Sequence, residues 1–332
     1  MNLLLIMPNF FTYPQDIVDE LESMGFKVDF FDDRPSVNPI IKSIIRINKN
    51  LINFYIKSYF KKIILKTQTK EYSYVFVISG QSFSFSKEMV RKLKNQNKNA
   101  EFILYQWDSL ANFSYIKDFY EFFDRKYSFD QLDCQKVENL EFLPLFYTKQ
   151  YGDLGVKKYN SYQYDFSFVG TAHPKKYAFI KEVTQKLYDV YPSQFIYLYM
   201  PSKIIFYFRK ITNKLFKKAS INEFNYIPLA KNEVSEVYAN SSCILDSAQD
   251  NQNGLTIRII EALGAKKKVI TTNENVKEYD FYKEENIYIY NGQIDFDSKF
   301  FNEPYSDVEA SIYESYSLES WLKKIIEKKN GQ

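Results

Sequence analysis

The sequence predicts an α/β protein of two consecutive domains, each a parallel sheet covered by helices. At 332 residues the chain has room for two domains of ordinary size. Residues 3–7 are continuously apolar, as in a strand buried on both faces, and they are followed by a helical pattern at 14–24 and a strand at 26–31. A second series of the same kind begins at residue 166, after a polar segment.

The remaining elements follow from apolar runs and helical periodicity. In the first half, strands are predicted at 74–79, 102–106 and 140–146, and helices at 86–97 and 115–123. In the second half, strands are predicted at 166–170, 195–199, 243–246, 268–272 and 287–290, and helices at 174–191, 233–240 and 318–328. The polar segment 147–164 is predicted to be the interdomain linker. We therefore expect domains at 1–150 and 151–317, with a terminal helix in 318–332.

The composition is that of a globular protein, with 45% hydrophobic and 26% charged residues and a formal charge of only +3. Cys134 and Cys243 match no CxxC pattern, so neither a metal site nor a disulfide framework is expected, and a reducing cytosol is the default. The apolar run at the N-terminus ends at Pro8, too early for a signal peptide. No stretch reaches the roughly 18 apolar residues of a spanning helix, so a soluble or peripheral protein is expected.

Two stretches are basic, apolar and free of acidic residues. One lies between Asp33 and Glu71 and the other between Asp189 and Glu223. Both patterns suit helices at an anionic membrane surface, centred on 40–66 and 203–218. Each could also be an ordinary helix that packs its apolar face on the sheet. Nucleic acid is not expected as a partner, since no RNP, KH or helix-turn-helix pattern is present.

Residues 253–273 carry the strongest indication of function. They predict a glycine turn at Gly254, a helix, a basic turn and a buried strand. The first N–H groups of such a helix suit a phosphate, and Arg258, one turn in, can add a positive fork. Glu261, three residues further, could accept hydrogen bonds from a sugar hydroxyl.

The segments 254–263 and 268–273 resemble the donor-binding segment of GT-B glycosyltransferases. The closest likeness is to the glycosyltransferase group 1 type of bacterial polysaccharide gene clusters, including CgeB-like proteins. Residues 165–176 resemble the first strand and loop of the same C-terminal domain, and Trp321 with its helix resembles the closing helix. The resemblance implies two Rossmann-like domains facing a cleft, a C-terminal helix crossing back, and metal-independent transfer of a hexosyl group from a UDP- or GDP-type donor without a bound cofactor.

The resemblance also implies roles for individual residues. Glu261 matches the glutamate that binds the ribose hydroxyls, and Arg258 would neutralise diphosphate charge. Asn253 stands where many retaining relatives carry the first glutamate of an E-x7-E pair, which leaves the stereochemical course open. The residues expected around the diphosphate are Gly170 at the strand end, Lys175 or Lys176, Gly254, Leu255 and Thr256.

Two residues are candidates for catalysis near the acceptor. Asp108 follows the strand at 102–106 and could act as a general base, although a helix N-cap is an equal alternative. His173, the only histidine, lies in a predicted loop at a strand end, the side of an α/β sheet where ligands bind. A loop residue without function is the alternative. The strand-end loop 79–82, Asp246 and Asp250 are weaker candidates.

These observations predict a cytoplasmic glycosyltransferase, peripheral on the inner face of the cell membrane. It would move a sugar from a nucleotide-diphosphate donor to a surface glycan acceptor, which we expect to be lipid-linked. A non-catalytic GT-B-like protein that binds a glycan or acts as a scaffold is one alternative. A sugar-nucleotide 2-epimerase, which shares the two-domain fold, is another.

Overall fold

The computed structural model describes residues 1–36, 38, 41, 44–45, 48–80, 83–248 and 253–327. The chain divides into two compact units. The first unit comprises Met1–Pro144, Asn251–Gly254 and Leu318–Gln332, and the second comprises Leu145–Asp250 and Leu255–Ser317.

The first unit contains a six-stranded parallel sheet in the order β2-β1-β3-β4-β5-β6. Its strands are β1 Asn2–Ile6, β2 Lys27–Phe31, β3 Tyr74–Ser79, β4 Glu101–Gln106, β5 Arg125–Ser128 and β6 Glu141–Phe142. All residues of β3 are buried, because helices cover both faces of a central parallel strand. This burial explains why the central strands are continuously apolar in sequence.

Before residue 144, the described parts of the first unit contain four helices whose bounds are defined. They are α1 Tyr13–Ser23, α2 Asn53–Thr67, α3 Lys87–Gln96 and α4 Gln131–Lys136, with 3₁₀ helices at Lys49–Ile52 and Ser114–Phe122. The apolar side of α2, which includes Ile56, Phe60 and Ile63, is buried in the same core cluster as Val75 of β3. The isoleucine face of the first basic stretch therefore covers the sheet, as in the ordinary-helix alternative.

The second unit contains a five-stranded parallel sheet in the order β11-β10-β9-β7-β8. Its strands are β7 Tyr164–Thr171, β8 Gln194–Tyr199, β9 Ser241–Leu245, β10 Lys268–Thr271 and β11 Ile287–Ile289. Its helices are α5 Lys149–Gly155, α6 Pro174–Leu187, α7 Lys203–Thr212, α8 Lys231–Ala239, α9 Ile257–Gly264, α10 Lys299–Asn302 and α11 Ala310–Ser315. Short 3₁₀ helices occupy Lys214–Phe216, Ile221–Glu223 and Glu274–Glu278.

The C-terminal helix α12, Leu318–Ile326, packs within the first unit although it follows the second in sequence. The Trp321 ring is 1% exposed, and its centroid lies 4.7 Å from that of Tyr105 and 6.0 Å from that of Phe76. The expectation that this helix crosses back to the N-terminal half is confirmed. No helix in the described parts of the chain is long and apolar enough to cross a membrane.

Several predicted elements differ from those in the structure. Strand β5 was not predicted, because it is four residues long and begins with Arg125 and Lys126. The predicted strand 140–146 was wrong over most of its length, since only Glu141–Phe142 pairs. The predicted helix 115–123 is a 3₁₀ helix.

The segment 147–164, predicted to be a linker, contains the helix α5 and the first residue of β7. Tyr151 and Leu154 of α5 are buried, so the helix belongs to the packed body of the second unit. A Cβ atom on Gly155 would overlap the carbonyl oxygen of Gly264 in α9. The glycine that resembled a linker residue in sequence is therefore required by the close packing of two helices.

Candidate functional site

The candidate donor site lies at the carboxyl edge of the second sheet, between β7 and β9. The chain passes from β7 to β8 on one side and then crosses back to β9 on the other. Ligands of open α/β sheets bind at such a reversal of strand order, outside the carboxyl ends of the strands. Gly170 near the end of β7, Asp246 directly after β9 and Thr271 at the end of β10 all lie at this edge.

Asp246 organises the site. Its side chain is fully buried, and it accepts hydrogen bonds from the hydroxyl groups of Thr256 at 2.7 Å and Thr271 at 2.9 Å. Nη1 of Arg258 donates to the same carboxylate at 2.6 Å. One buried carboxylate thus connects two strand ends with the turn and first residues of α9.

The guanidinium of Arg258 contacts β7 as well as Asp246. Nη2 of its guanidinium donates to the carbonyl oxygen of Val169 at 3.2 Å, and the guanidinium carbon lies 4.9 Å from the centroid of the Phe168 ring. A Cβ atom on Gly170 would lie 2.8 Å from Nη2, so this glycine makes room for the guanidinium. Because Asp246 balances its charge, Arg258 is as much a structural element of this edge as a source of positive potential.

Lys176 carries a second positive charge at this edge, and the nearby Asp246 carboxylate attracts both it and Arg258. It lies on the first turn of α6, and no hydrogen bond or ion pair to its ammonium is found in the described parts of the chain. Burial, and then the nearby Arg258 charge, lower the pKa of Lys176 to about 8. Burial and the neighbouring guanidinium both disfavour the charged form of Lys176. A lysine in such surroundings at a ligand-binding edge is a candidate anion-binding group.

The helices that start at this edge add backbone donors. Thr256 precedes α9 but makes no side-chain cap, because its hydroxyl donates to Asp246. His173 precedes α6 and makes no side-chain cap either. The first N–H groups of an α-helix have no partner within the helix, so these two helix starts suit a phosphate group beside Lys176.

Glu261 lies on the inner side of α9 and is only 7% exposed. The hydroxyl of Tyr238 lies 3.5 Å from its Oε2, and burial followed by the Glu261 carboxylate raises the pKa of the Tyr238 and Tyr151 hydroxyls. Two tyrosines therefore orient the carboxylate expected to bind ribose.

The other predicted site residues differ in their exposure and in the unit to which they belong. His173 and Lys175 are exposed at the start of α6, and Leu255 is buried. Asn253 and Gly254 belong to the first unit, where the Asn253 N–H donates to Asp130 at 3.3 Å. A Cβ atom on Gly254 would lie 2.5 Å from Cε2 of Phe129, so the close approach that this glycine makes is to an aromatic ring.

Asp108 lies at the carboxyl edge of the first sheet, two residues after β4. An ideal Cβ on Gly80, directly after β3, would lie 3.1 Å from Oδ2 of Asp108. The role of Asp108 as a base stays a prediction. Gln81, Ser82 and Asp250 lie outside the described residues.

The sequence did not single out the buried partners of the site. Asp246 was considered only as a weak candidate, and Thr271, Tyr151 and Tyr238 were not considered. The position of Asp246 directly after a buried strand was the one available signal. In the part of the chain that the structure describes, no group of three His, Cys, Asp or Glu residues is placed to hold a metal ion.

No protein-family model and no curated protein sequence matches this chain. Solved structures resemble it in fold. Sucrose-phosphate synthase from Thermosynechococcus elongatus has a TM-score of 0.59 at 12% identity, over 98% of this chain and 97% of that chain. HepE from Anabaena, solved with UDP and glucose, has a TM-score of 0.58 at 10% identity over 98% of both chains. UDP-GlcNAc 2-epimerase from Neisseria meningitidis, bound to UDP-GlcNAc, has a TM-score of 0.51 at 12% identity over 98% of both chains.

The two parallel sheets, their order and these likenesses define the fold class. The chain has the GT-B fold, with two Rossmann-like α/β units and a C-terminal helix that returns to the first unit. At identities of 10–12% the likeness extends to the fold and not to activity.

Proposed function

We propose that the protein is a glycosyltransferase that moves a sugar from a nucleotide-diphosphate donor, of UDP or GDP type, to a surface glycan acceptor. The observation that carries this proposal is the ammonium of Lys176, which forms no hydrogen bond or ion pair among the described residues and lies beside the Arg258–Asp246 pair at the strand-order reversal of the second sheet. We further propose that the chain belongs to the group 1 or CgeB-like type.

The proposed chemistry follows from the charge at this edge. A nucleotide-diphosphate leaving group gains negative charge in the transition state, and donors already aimed at it lower the barrier. Lys176 and the first N–H groups of α6 and α9 would bind the diphosphate, while Glu261 would accept from the ribose hydroxyls. Asp108 or His173 would assist the acceptor. These groups can stabilise the leaving charge without a metal ion.

Calorimetric titration with UDP-, GDP- and CMP-sugars tests the proposal. We expect one nucleotide class to bind, and its sugar to be transferred only when an acceptor glycan is added. Absence of binding to every nucleotide would reject the transferase proposal.

A sugar-nucleotide 2-epimerase is the second candidate function, supported by the likeness to UDP-GlcNAc 2-epimerase. An epimerase would give a different result when the nucleotide sugars are added. Conversion of a UDP-sugar without any acceptor would favour the epimerase. Nucleotide binding without turnover under either condition would favour a scaffold protein.

Lys176→Met should weaken UDP-glucose binding by about 1.5–3 kcal/mol, the worth of a hydrogen bond to a charged group. In the unaltered protein, affinity should fall as pH rises through about 8, because the neutral amine no longer attracts the diphosphate. UDP-glucose is the suitable ligand, since its diphosphate has no titrating proton in that range. The variant should lose this pH dependence, measured by calorimetry across the transition.

The stability of the free protein provides a control. The folded pKa of Lys176 lies below its ordinary value of 10.5, so the unfolded chain binds more protons between about pH 8 and 10.5, and stability rises with pH through that window. Lys176→Met should therefore not destabilise the protein. Lys175→Met, an exposed neighbour on the same helix, should change binding less. Equal losses for both lysines would contradict the special role of Lys176.

We also propose that the protein binds an anionic membrane surface through α7, as a peripheral protein of the inner face of the cell membrane. Ile204, Tyr207, Phe208 and Ile211 recur at helical spacing on one side of α7 and are each 55–81% exposed. The buried residue of this helix, Phe206, faces the core. Six basic residues and no acidic residue lie between Asp189 and Glu223, which suits an anionic bilayer.

The first basic stretch contributes less to this proposal. The isoleucine face of α2 packs in the core, which leaves its lysines with Leu51 and Phe54 on the exposed side. Parts of 40–66, including Lys42 and Arg46, lie outside the described residues.

The variant with Ile204→Ser, Phe208→Ser and Ile211→Ser should lose at least about tenfold in partition onto phosphatidylglycerol vesicles, because each buried apolar side chain contributes about 1.5–3 kcal/mol. Sedimentation with vesicles measures the partition. Val190→Ser, also at an exposed apolar residue of the second unit, is the control. Unchanged sedimentation of the triple variant would reject α7 as the contact.

A further inference from the structure

An exposed pair of aromatic rings lies at the carboxyl end of β1. Phe10 is 49% exposed and Phe11 67% exposed, with their ring centroids 4.5 Å apart. Phe11 also has a φ of +48°, a left-handed conformation that is strained for a bulky residue. Exposed apolar surface and backbone strain at one position both lower stability, and such combinations cluster at binding sites. We call Phe10 and Phe11 the aromatic platform.

An ion cluster of Arg34, Asp32 and Asp33 holds the backbone of the loop that carries the aromatic platform. Nε of Arg34 lies 3.1 Å from Oδ1 of Asp32 and 3.2 Å from Oδ1 of Asp33, and its Nη2 donates to the carbonyl oxygen of Asn9 at 3.2 Å. The N–H of Asp33 donates to the carbonyl oxygen of Met7 at 3.2 Å. This buried ion cluster fixes the backbone on the N-terminal side of the platform, so its rings lose little freedom when a ligand binds.

The aromatic platform adjoins the strand-order reversal of the first sheet, between β1 and β3. The Phe10 ring stacks on Tyr13 at 6.2 Å, and the Tyr13 ring lies 5.4 Å from that of Trp107. An ideal Cβ on Gly80 would lie 3.1 Å from Asp108 Oδ2 and 4.0 Å from Cγ of Pro8. The ends of β1, β3 and β4 thus bring aromatic rings and one carboxylate to the same edge.

We infer that the aromatic platform binds one face of a pyranose ring of the acceptor glycan, while Asp108 accepts a hydrogen bond from a hydroxyl of the same glycan. The inference rests on the proposed function, which it deepens by naming a carbohydrate as the group recognised in the first unit. Axial C–H groups make one face of a pyranose apolar, and the negative face of an aromatic ring attracts C–H dipoles. The carboxylate supplies the directional acceptor that sugar hydroxyls require.

The charge of this region favours a sugar over an anionic bilayer. Residues 2–26 contain no Lys or Arg, and α1 carries four acidic residues, Asp16, Asp19, Glu20 and Glu22. These carboxylates would repel an anionic surface. They would not repel a neutral sugar.

The test measures binding of simple methyl glycosides, a panel of hexoses and N-acetylhexosamines, to the full chain without nucleotide. Saturation-transfer difference NMR should show the strongest transfer to the C–H groups of one sugar face. Phe11→Ala should weaken the bound glycoside about three- to tenfold, the worth of one aromatic contact. Phe11→Trp should retain the affinity, whereas Phe11→Leu, which keeps apolar area without a ring, should lose most of it. Phe54→Ala, at an exposed phenylalanine of α2, should have no effect.

The outcomes separate this inference from the proposed function. Unchanged glycoside affinity in Phe10→Ala and Phe11→Ala, or no glycoside binding by the unaltered chain, would overturn the aromatic platform. If Phe11→Leu kept full glycoside affinity, and if the chain bound neutral vesicles through Phe10 and Phe11, a lipid would replace the sugar as the ligand of the aromatic platform. The affinity of the same variants for UDP-glucose should not change. If the unaltered protein bound no UDP-glucose, the transferase proposal would be rejected, while the glycoside result would still stand.

Discussion

Asp246→Ala should lower the free energy of unfolding by about 3–5 kcal/mol, the cost of leaving a buried charge without its partner. The guanidinium of Arg258 would lose its 2.6 Å contact, and the hydroxyl groups of Thr256 and Thr271 would lose their common acceptor. Urea unfolding followed by circular dichroism measures the loss. Nucleotide binding should fall with it, because the turn before α9 and the strand ends are no longer held together.

Two further variants show whether the pairing is the cause. Asp246→Asn keeps the shape and removes the charge, so it should be destabilising but less than alanine. Asp246→Ala combined with Arg258→Met removes both charges, and its cost should be well below the sum of the two single costs. A loss for Asp246→Ala within the range of an ordinary surface substitution would contradict the role assigned to this carboxylate.

Trp321→Ala should lower the free energy of unfolding by about 3–5 kcal/mol, as for other large aromatic side chains truncated in a core. The indole is 1% exposed and contacts the rings of Tyr105 and Phe76, both on central strands of the first sheet. The cavity would lie beneath α12, so limited proteolysis should cut the C-terminal segment faster than in the unaltered chain. Denaturant unfolding measures the energy, and mass spectrometry identifies the site of cleavage.

Trp321→Phe should cost much less than alanine, because it keeps an apolar ring in the same space. Lys323→Ala, on the exposed side of α12, is the matched control. If Trp321→Ala unfolded at the same denaturant concentration as Lys323→Ala, the packing of α12 on the first unit would be contradicted.

The fold class was predictable from a small number of segments. The strands at 3–7, 74–79 and 102–106 are evident because a central parallel strand is buried on both faces and must be apolar throughout. Strand β5 escaped prediction because a strand of only four residues, next to the edge strand β6, can begin with Arg125 and Lys126. Helix α5 escaped because Gly152 and Gly155 indicate a linker until the close contact with α9 is known.

The sequence predicted the location of the candidate site better than the side-chain contacts within it. A glycine turn and a helix with Arg258 and Glu261 on one side indicated an anion and sugar site. Sequence could not tell that Asp246 neutralises Arg258, because that contact joins residues 12 positions apart through the end of a strand. It could not separate Lys175 from Lys176 either, since only the packing of α6 decides which of two adjacent lysines turns inward.

The sequence by itself determined the two α/β series, the presence of an amphipathic C-terminal helix and the helix start that suits a diphosphate. These are local properties, set by apolar periodicity and by the residues at element ends. The tertiary structure alone decided which charges are balanced. It paired Arg258 with Asp246, placed Lys176 beside this pair without an ion pair of its own among the described residues, and oriented Glu261 beside Tyr238. Charge balance depends on distances between residues far apart in the chain, and only the folded sheet sets those distances.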